Sequence, residues 1–391
     1  MTLPLSDEIK GYFSKHEEHV VTNLFLAAEG VFEAKTTNLN EVKDKLANIL
    51  GNQETTKPES NYQRLIRFFR TPDEEKQDLI QCLLLVSFCV LGLKGRKPKY
   101  LALDGTSWED GLKKIHLLTL SVVINGVSIP IWWEELDKKG TSNYEERCKV
   151  MDKACELYNL KGMILLADRE YIGEEWFKYL VDKGLGFVIR VKKGVYKSYI
   201  DEQRNGVNKY FQHQQWRYIG MERAAKKKRY KNVGVAKQIE IRGEKYTFVV
   251  FKNPKVDAEQ PLVYLISTLK KKKQIVQAYP IRWTIECCFK HLKSNGFELE
   301  AINFKDGEKI KLMMAIVVFL YALCIEQGWL QYRNMKKSDW KKFQNGDTTL
   351  AVSVFRKGRS YLAAKFNNLA SFLQFLTLML KQRKLPFWVH V

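Results

Sequence analysis

Tyr100-Leu101-Ala102-Leu103-Asp104, followed by I-H-L-L-T-L-S-V-V-I (residues 115–124) and V-S-I-P-I-W-W (residues 127–133), decides the fold class. These are short β-rich runs separated by Asp-Gly and Asn-Gly turn signals, and they predict an antiparallel meander. Moving outward, helical spacing runs from about Asn143 to Leu160. M-I-L-L-A-D (residues 163–168) then reads as a buried strand ending on an acid. A helix near Glu174–Lys183 and the strand G-F-V-I-R-V (residues 186–191) complete a mixed α/β layer. Before about Lys94 the chain reads as helical, with Pro72 at a helix start. Between about Val195 and Leu269 it turns polar and strand-like, which predicts an inserted β-rich unit. Past about Gly328 helical spacing returns and continues to about residue 381.

With 391 residues, 45% of them hydrophobic, the chain can bury a large core. Its 65 Lys and Arg outnumber its 44 Asp and Glu, and a net charge of +21 exceeds what solubility requires. A polyanionic partner is expected. The longest apolar run, Leu312–Ile325, is shorter than the 18 or so residues that read as a membrane span, so a buried helix and no membrane partner are expected. The N-terminus lacks a basic-then-apolar leader pattern, which predicts a cytoplasmic, nucleoid-associated protein. Seven cysteines without C-x-x-C spacing read as reduced core residues, and six scattered histidines give no zinc pattern.

The chemistry concentrates in Y-P-I-R-W-T-I-E-C-C-F-K-H-L-K, residues 279–293. On a helix advancing about 100° per residue, Tyr279, Arg282, Glu286 and Lys293 share one stripe, while Ile281, Ile285, Cys288 and Leu292 fall opposite. One reading is a solvated face with an Arg282–Glu286 pair worth about 0.2–0.5 kcal/mol. The other takes in two further acids at strand ends, Asp104 and Asp168. Three carboxylates brought to one sheet edge repel unless a cation offsets them, and Mg²⁺ or Mn²⁺ suits oxygen ligands. Two such ions would activate an attacking water or hydroxyl and stabilise the leaving oxygen of a phosphodiester displacement. Arg282 and Lys293 would hold neighbouring phosphates.

The spacing Y-x2-R-x3-E-x6-K over Tyr279, Arg282, Glu286 and Lys293 resembles the signature of DDE transposases of bacterial insertion sequences, in the insertion-sequence-four group. L-A-L-D-G-T around Asp104 and A-D-R-E-Y around Asp168 resemble the same group's other two motifs. The resemblance implies an α/β fold. An RNase H-like catalytic core, a mixed sheet flanked by helices, would be interrupted by a β-rich insertion and joined to helical N- and C-terminal regions. The segments expected are a DNA-binding region over 1–95, the core over 96–194 and 270–330, the insertion over 195–269, and a dimerisation and synapsis region over 331–391. Implied too are a pair of Mg²⁺ or Mn²⁺ ions on Asp104, Asp168 and Glu286. The implied partners are double-stranded DNA, as terminal inverted repeats and target, and a second copy in a synaptic homodimer.

Tyr279, Arg282, Lys293, Arg169 and Lys290 are the expected DNA contacts. Tyr264 holds the place where some relatives stack a tryptophan on a flipped base; a core tyrosine in a strand is the other reading. Trp216 and the basic runs Lys226–Arg229, Lys270–Lys273 and Arg64–Arg70 are weaker candidates for DNA contact. Two competing functions remain at this stage, a structure-selective RNase H-like endonuclease and a non-catalytic DNA-binding protein derived from a transposase.

Overall fold

The structure, a computed structural model, describes residues 4–51, 57–93, 97–110, 113–136, 138, 140–201, 218–227, 233–253, 260–333, 335–342 and 348–390. In chain order its elements begin with α1 (Asp7–Tyr12), α2 (Glu18–Ala34), α3 (Leu39–Leu50), α4 (Pro58–Phe69) and α5 (Asp73–Val90). The central part holds β1 (Tyr100–Asp110), β2 (Lys113–Ile124), β3 (Val127–Glu135), α6 (Tyr144–Leu157), β4 (Ile164–Ala167), α7 (Glu174–Asp182) and β5 (Gly186–Val191). Next come α8 (Lys197–Asp201), α9 (Tyr218–Ala225), β6 (Val235–Ile241), β7 (Glu244–Lys252) and β8 (Leu262–Ser267). The chain closes with α10 (Lys272–Ala278), α11 (Trp283–Leu292), α12 (Gly307–Gln331), the short hairpin β9 (Trp340–Lys342) and β10 (Thr348–Leu350), α13 (Val354–Ala363) and α14 (Leu369–Lys381).

Contacts divide the chain into two compact units, Met1–Lys97 with Ser107–His116 and Cys288–Val391, and Pro98–Thr106 with Leu117–Cys287. The large sheet has the order β3-β2-β1-β4-β5-β8-β7-β6. β1, β4 and β5 pair in parallel, whereas β8 is antiparallel to β5 and β7. This is a mixed α/β architecture, with α6 against β3, α7 against β5, and α9 and α10 against β7. The strands of residues 195–269 do not form a sheet of their own. β8 pairs along β5, and β7 and β6 follow it, so they lengthen the main sheet. The reason is that β5 is almost wholly buried and its second edge needs a hydrogen-bonding neighbour, which β8, buried at every position, supplies.

One face of this sheet is apolar: Ile164 and Leu166 of β4, Val188 of β5, Val249 and Phe251 of β7, and Val263 and Leu265 of β8. Ile275, Val276 and Ala278 of α10 cover it. The signature segment follows α10 directly, and its Tyr279 and Ile281 pack against the same cluster.

In the other unit α12 is the central helix, with α2, α5 and α13 around it. At 25 residues, with an 18-residue stretch of mean hydropathy 1.9, it is longer than the apolar run suggests and sufficient by length and composition to cross a membrane, yet that stretch is 94% buried by protein. Gly328 of α12 and Gly358 of α13 set the closeness of that packing. A Cβ on Gly358 would collide with the Cys324 carbonyl, and one on Gly328 with the Val354 carbonyl. None of the seven cysteines is in a disulfide; Cys82, Cys89, Cys288 and Cys324 are buried as expected, but Cys148 and Cys155 are half-buried and Cys287 is exposed.

Candidate active site

Register and alternation bring the two aspartates together. β1 and β4 are parallel neighbours with Leu103 opposite Ala167, so Asp104 and Asp168 are the next residues on each strand. Adjacent strands lie about 4.8 Å apart. Side chains alternate, and Ile164 and Leu166 face α10, so Asp168 emerges on that same covered face. Asp104, two residues after Ala102 and four after Tyr100, which packs on that cluster, shares the side.

The third carboxylate arrives with the segment after α10. Tyr279–Arg282 forms one 3₁₀ turn before the α-helix of Trp283–Leu292, and Lys293–Phe297 continues as a π turn, so the single regular helix expected from the sequence is replaced by three geometries. Pro280 has no N–H to close an α-helical bond back into α10, which accounts for the break. Thr284, at the start of α11, shares a 2.7 Å hydrogen bond with Ser128 of β3.

Arg282 joins the acids. Its Nη1 donates to Asp104 Oδ2 at 3.1 Å and its Nη2 to Glu286 Oε1 at 2.5 Å, with the arginine side chain only 11% exposed. Tyr279 donates its hydroxyl to Asp168 Oδ1 at 3.3 Å, and Arg190 Nη1 lies 3.8 Å from the same oxygen. Asp104, Asp168 and Glu286 thus sit within one network of two arginines and a tyrosine. Burial pushes the Asp104 carboxyl up to about 6; Arg282 and the Gly105 N–H oppose that shift, and Glu286 and Asp168 add to it. Burial pulls the Arg282 guanidinium down, but Tyr279 and the three carboxylates outweigh it and hold the charge firmly. Three carboxylates gathered on one side of the sheet are an all-oxygen donor set of the kind that hard divalent cations prefer.

The family model described as Transposase DDE domain matches residues 96–323, a range that takes in all three acids. The chain belongs to that family. DDE transposases use divalent metal ions and act in DNA transposition. Among solved structures, the cryo-EM structure of the piggyBac transposase synaptic complex with hairpin DNA is similar over 94% of this chain and 76% of that one, with 12% identity and a TM-score of 0.43. No curated protein matches the sequence.

Two residues of this candidate site escape a motif reading. Arg190 lies on β5 in phase with Val188, hence on the carboxylate face, and a charged residue in an otherwise apolar strand was the available signal. Arg147 of α6 is buried, on the same helical stripe as Val150, Met151 and Ala154. It donates to the carbonyls of Glu170 (2.8 Å) and Ile172 (3.2 Å) in the loop after Asp168, and to Ser142 O (2.6 Å) and Ser142 Oγ (3.0 Å). Its guanidinium also stacks 5.4 Å from the Tyr171 ring centre. Arg147 therefore fixes the loop that presents Asp168.

Other expected residues lie elsewhere. Tyr264 is 6% exposed, out of phase with Val263 and Leu265, and so projects from the opposite face of the sheet. Its ring stacks on Tyr218, with 5.8 Å between centres, and its hydroxyl donates to Glu222 at 2.7 Å; the structure does not bring it to the carboxylates. Arg169 is exposed, and its backbone N–H donates to Asp168 Oδ1 at 2.8 Å. Lys290 and Lys293 belong to the unit containing α12. Lys290 is exposed, while Lys293 donates to Ser107 O at 2.8 Å, pairs with Glu300 at 2.8 Å and sits over the Trp108 ring. Of the basic-run residues, Arg64 donates to Asn23 at 2.7 Å. Trp216, Lys228 and Arg229 lie outside the described residues.

Proposed function

We propose that this chain is the transposase of a bacterial insertion sequence of the insertion-sequence-four group, acting by cut-and-paste. On this reading it binds terminal inverted repeats as a synaptic homodimer, cleaves the ends and joins their 3′-hydroxyls to target DNA in the cytoplasm. The observation that carries the reading is the convergence of Asp104, Asp168 and Glu286 through Arg282 and Tyr279. The strand order β3-β2-β1-β4-β5 supports an RNase H-like core, on which β6–β8 are the inserted segment. Asp104, Asp168 and Glu286 would hold two Mg²⁺ or Mn²⁺ ions, which when bound supply a metal-activated nucleophile and charge relief on the leaving oxygen.

The chain's own groups do the rest. Arg282, charged and buried beside two carboxylates, orients both and offers remaining N–H donors to a phosphate of the strand. The Tyr279 hydroxyl and Arg190 fix the rotamer of Asp168. The net charge of +21 supplies sequence-independent attraction to the DNA backbone.

The test is Glu286→Gln with Mg²⁺ or Mn²⁺ and DNA carrying the element's ends. The substitution removes one carboxylate charge and little shape, so end binding by gel shift is retained while nicking and transfer of pre-cleaved ends are lost. Metal-dependent nicking that survives it would overturn the assignment. Cleavage by the unaltered protein without joining of pre-cleaved ends would instead make the chain a structure-selective endonuclease.

A further inference from the structure

A second cluster of ligating atoms lies in the N-terminal helices, in the unit that does not contain the three acids. His16, in the turn after α1, has a side chain only 4% exposed, with Nε2 2.7 Å from Asp78 Oδ2 and Nδ1 3.5 Å from Glu75 Oε1. Cys82, one turn after Asp78 on α5, directs its thiol to that same Asp78 Oδ2 at 3.6 Å. One ligand atom each from His16, Asp78 and Cys82 falls within 4.8 Å of the others. Lys15 pairs at 3.5 Å with the other oxygen, Asp78 Oδ1, and its side chain is 81% exposed and free to swing aside. A cavity of about 470 Å³ opens beside the cluster and is bordered by Ser14, Lys15, Asp78, Gln81 and Cys82.

We propose that His16, Asp78 and Cys82 form a zinc site that clamps the turn after α1 to α5, with water from the adjoining cavity as fourth ligand. A nitrogen, an oxygen and a sulfur donor with one open position match tetrahedral Zn²⁺ and not the all-oxygen preference of Mg²⁺. Asp78 and Cys82 are held at i and i+4 on a rigid helix, which fixes two of the ligands before any ion arrives. Without an ion, Nε2–H of His16 donates to Asp78 Oδ2; an ion would displace that proton, and Glu75 would then take Nδ1–H as the outer carboxylate that metal-bound histidines commonly have. An ordinary His–carboxylate ion pair explains Glu75 and Asp78, but not why a thiol is directed to the same carboxylate oxygen. Sequence spacing conceals the site because His16 lies far from Asp78 and Cys82 in the chain.

The experiment titrates Co²⁺ into chelator-stripped full-length protein carrying Asp104→Asn and Glu286→Gln, so that the catalytic acids do not compete. Expected is one equivalent of Co²⁺ with tetrahedral visible bands and a thiolate-to-cobalt charge-transfer band, both bleached by Zn²⁺. Cys82→Ser removes the charge-transfer band, His16→Gln abolishes stoichiometric uptake, and Glu75→Gln weakens binding about 10–100-fold. Should a variant fail to fold, the charge-transfer band of the otherwise unaltered protein still decides the point. The site is refuted if that band is absent, or if it persists in Cys82→Ser.

Discussion

Replacing Arg147 with lysine keeps the charge and most of the length but loses the fork. The guanidinium reaches Glu170 O and Ile172 O on one side and Ser142 O and Oγ on the other. A single ammonium on a flexible stem reaches one of these groups at a time. Two to three hydrogen bonds are therefore lost. At about 1–1.5 kcal/mol each, because Glu170 is exposed and its carbonyl can rehydrate, the cost is about 2–4 kcal/mol. For a unit of this size that lowers the melting temperature by on the order of 5–10 °C. The functional consequence is separable from the loss of stability. Asp168 is presented by the loop that Arg147 ties down, so the Mn²⁺ concentration needed for half-maximal nicking should rise about 10–100-fold, the usual effect of removing an outer partner of a metal ligand. DNA binding should not change below the new melting temperature. The assays are chemical denaturation, Mn²⁺-dependent nicking and gel shift on the same preparation. A variant within about 0.5 kcal/mol of the parent and with an unchanged metal requirement would refute the reasoning.

Asp104 titrates at about 6 in the folded protein, above its ordinary 3.8, so its stabilising contribution is complete below about 3.8 and is lost as pH rises through 6. Because a protonated carboxyl excludes a cation, the Mn²⁺ requirement for nicking should climb about tenfold per unit below pH 6; a requirement flat from pH 5 to 8 would contradict this. Glu29 of α2 is fully buried, neither carboxylate oxygen has a hydrogen-bond partner, and burial with Glu33 nearby pushes it up to about 8. Its stability contribution is present below about 4.5 and is lost as pH rises through 8, so Glu29→Gln should stabilise by about 3–5 kcal/mol at pH 9 and hardly at all at pH 4, as read by urea denaturation at both. Gly358→Ala drives a methyl into the Cys324 carbonyl, and should cost several kcal/mol or leave the protein insoluble, as measured by soluble yield and melting.

The periods of hydrophobicity made most elements legible. The helices before Lys94, the β1–β3 runs, α6, β4, α7 and β5 all lie where 3.6- and 2-residue spacing predicts them. Tyr279, Arg282 and Glu286 were legible from one short segment, since helical spacing alone sets them on one side. Arg190 and Arg147 were less so, because a charged residue on a buried stripe looks like any other until the partner carbonyl or carboxylate is known. Tyr264 was ambiguous for a related reason. Its residue type suits base stacking and core packing equally, and only the phase of β8 tells which face it takes.

The sequence by itself determined the local elements, the charge balance and three acids in motifs of recognisable spacing, because propensity and side-chain direction depend on near neighbours. It could not determine that Leu103 sits opposite Ala167, that β8 docks on β5, or that one guanidinium spans Asp104 and Glu286. Those follow from long-range pairing, in which a one-residue slip would turn an acid to the other face of the sheet. The free energy that selects the register is the burial of the whole apolar face under α10, a property of the folded surface and of no single segment.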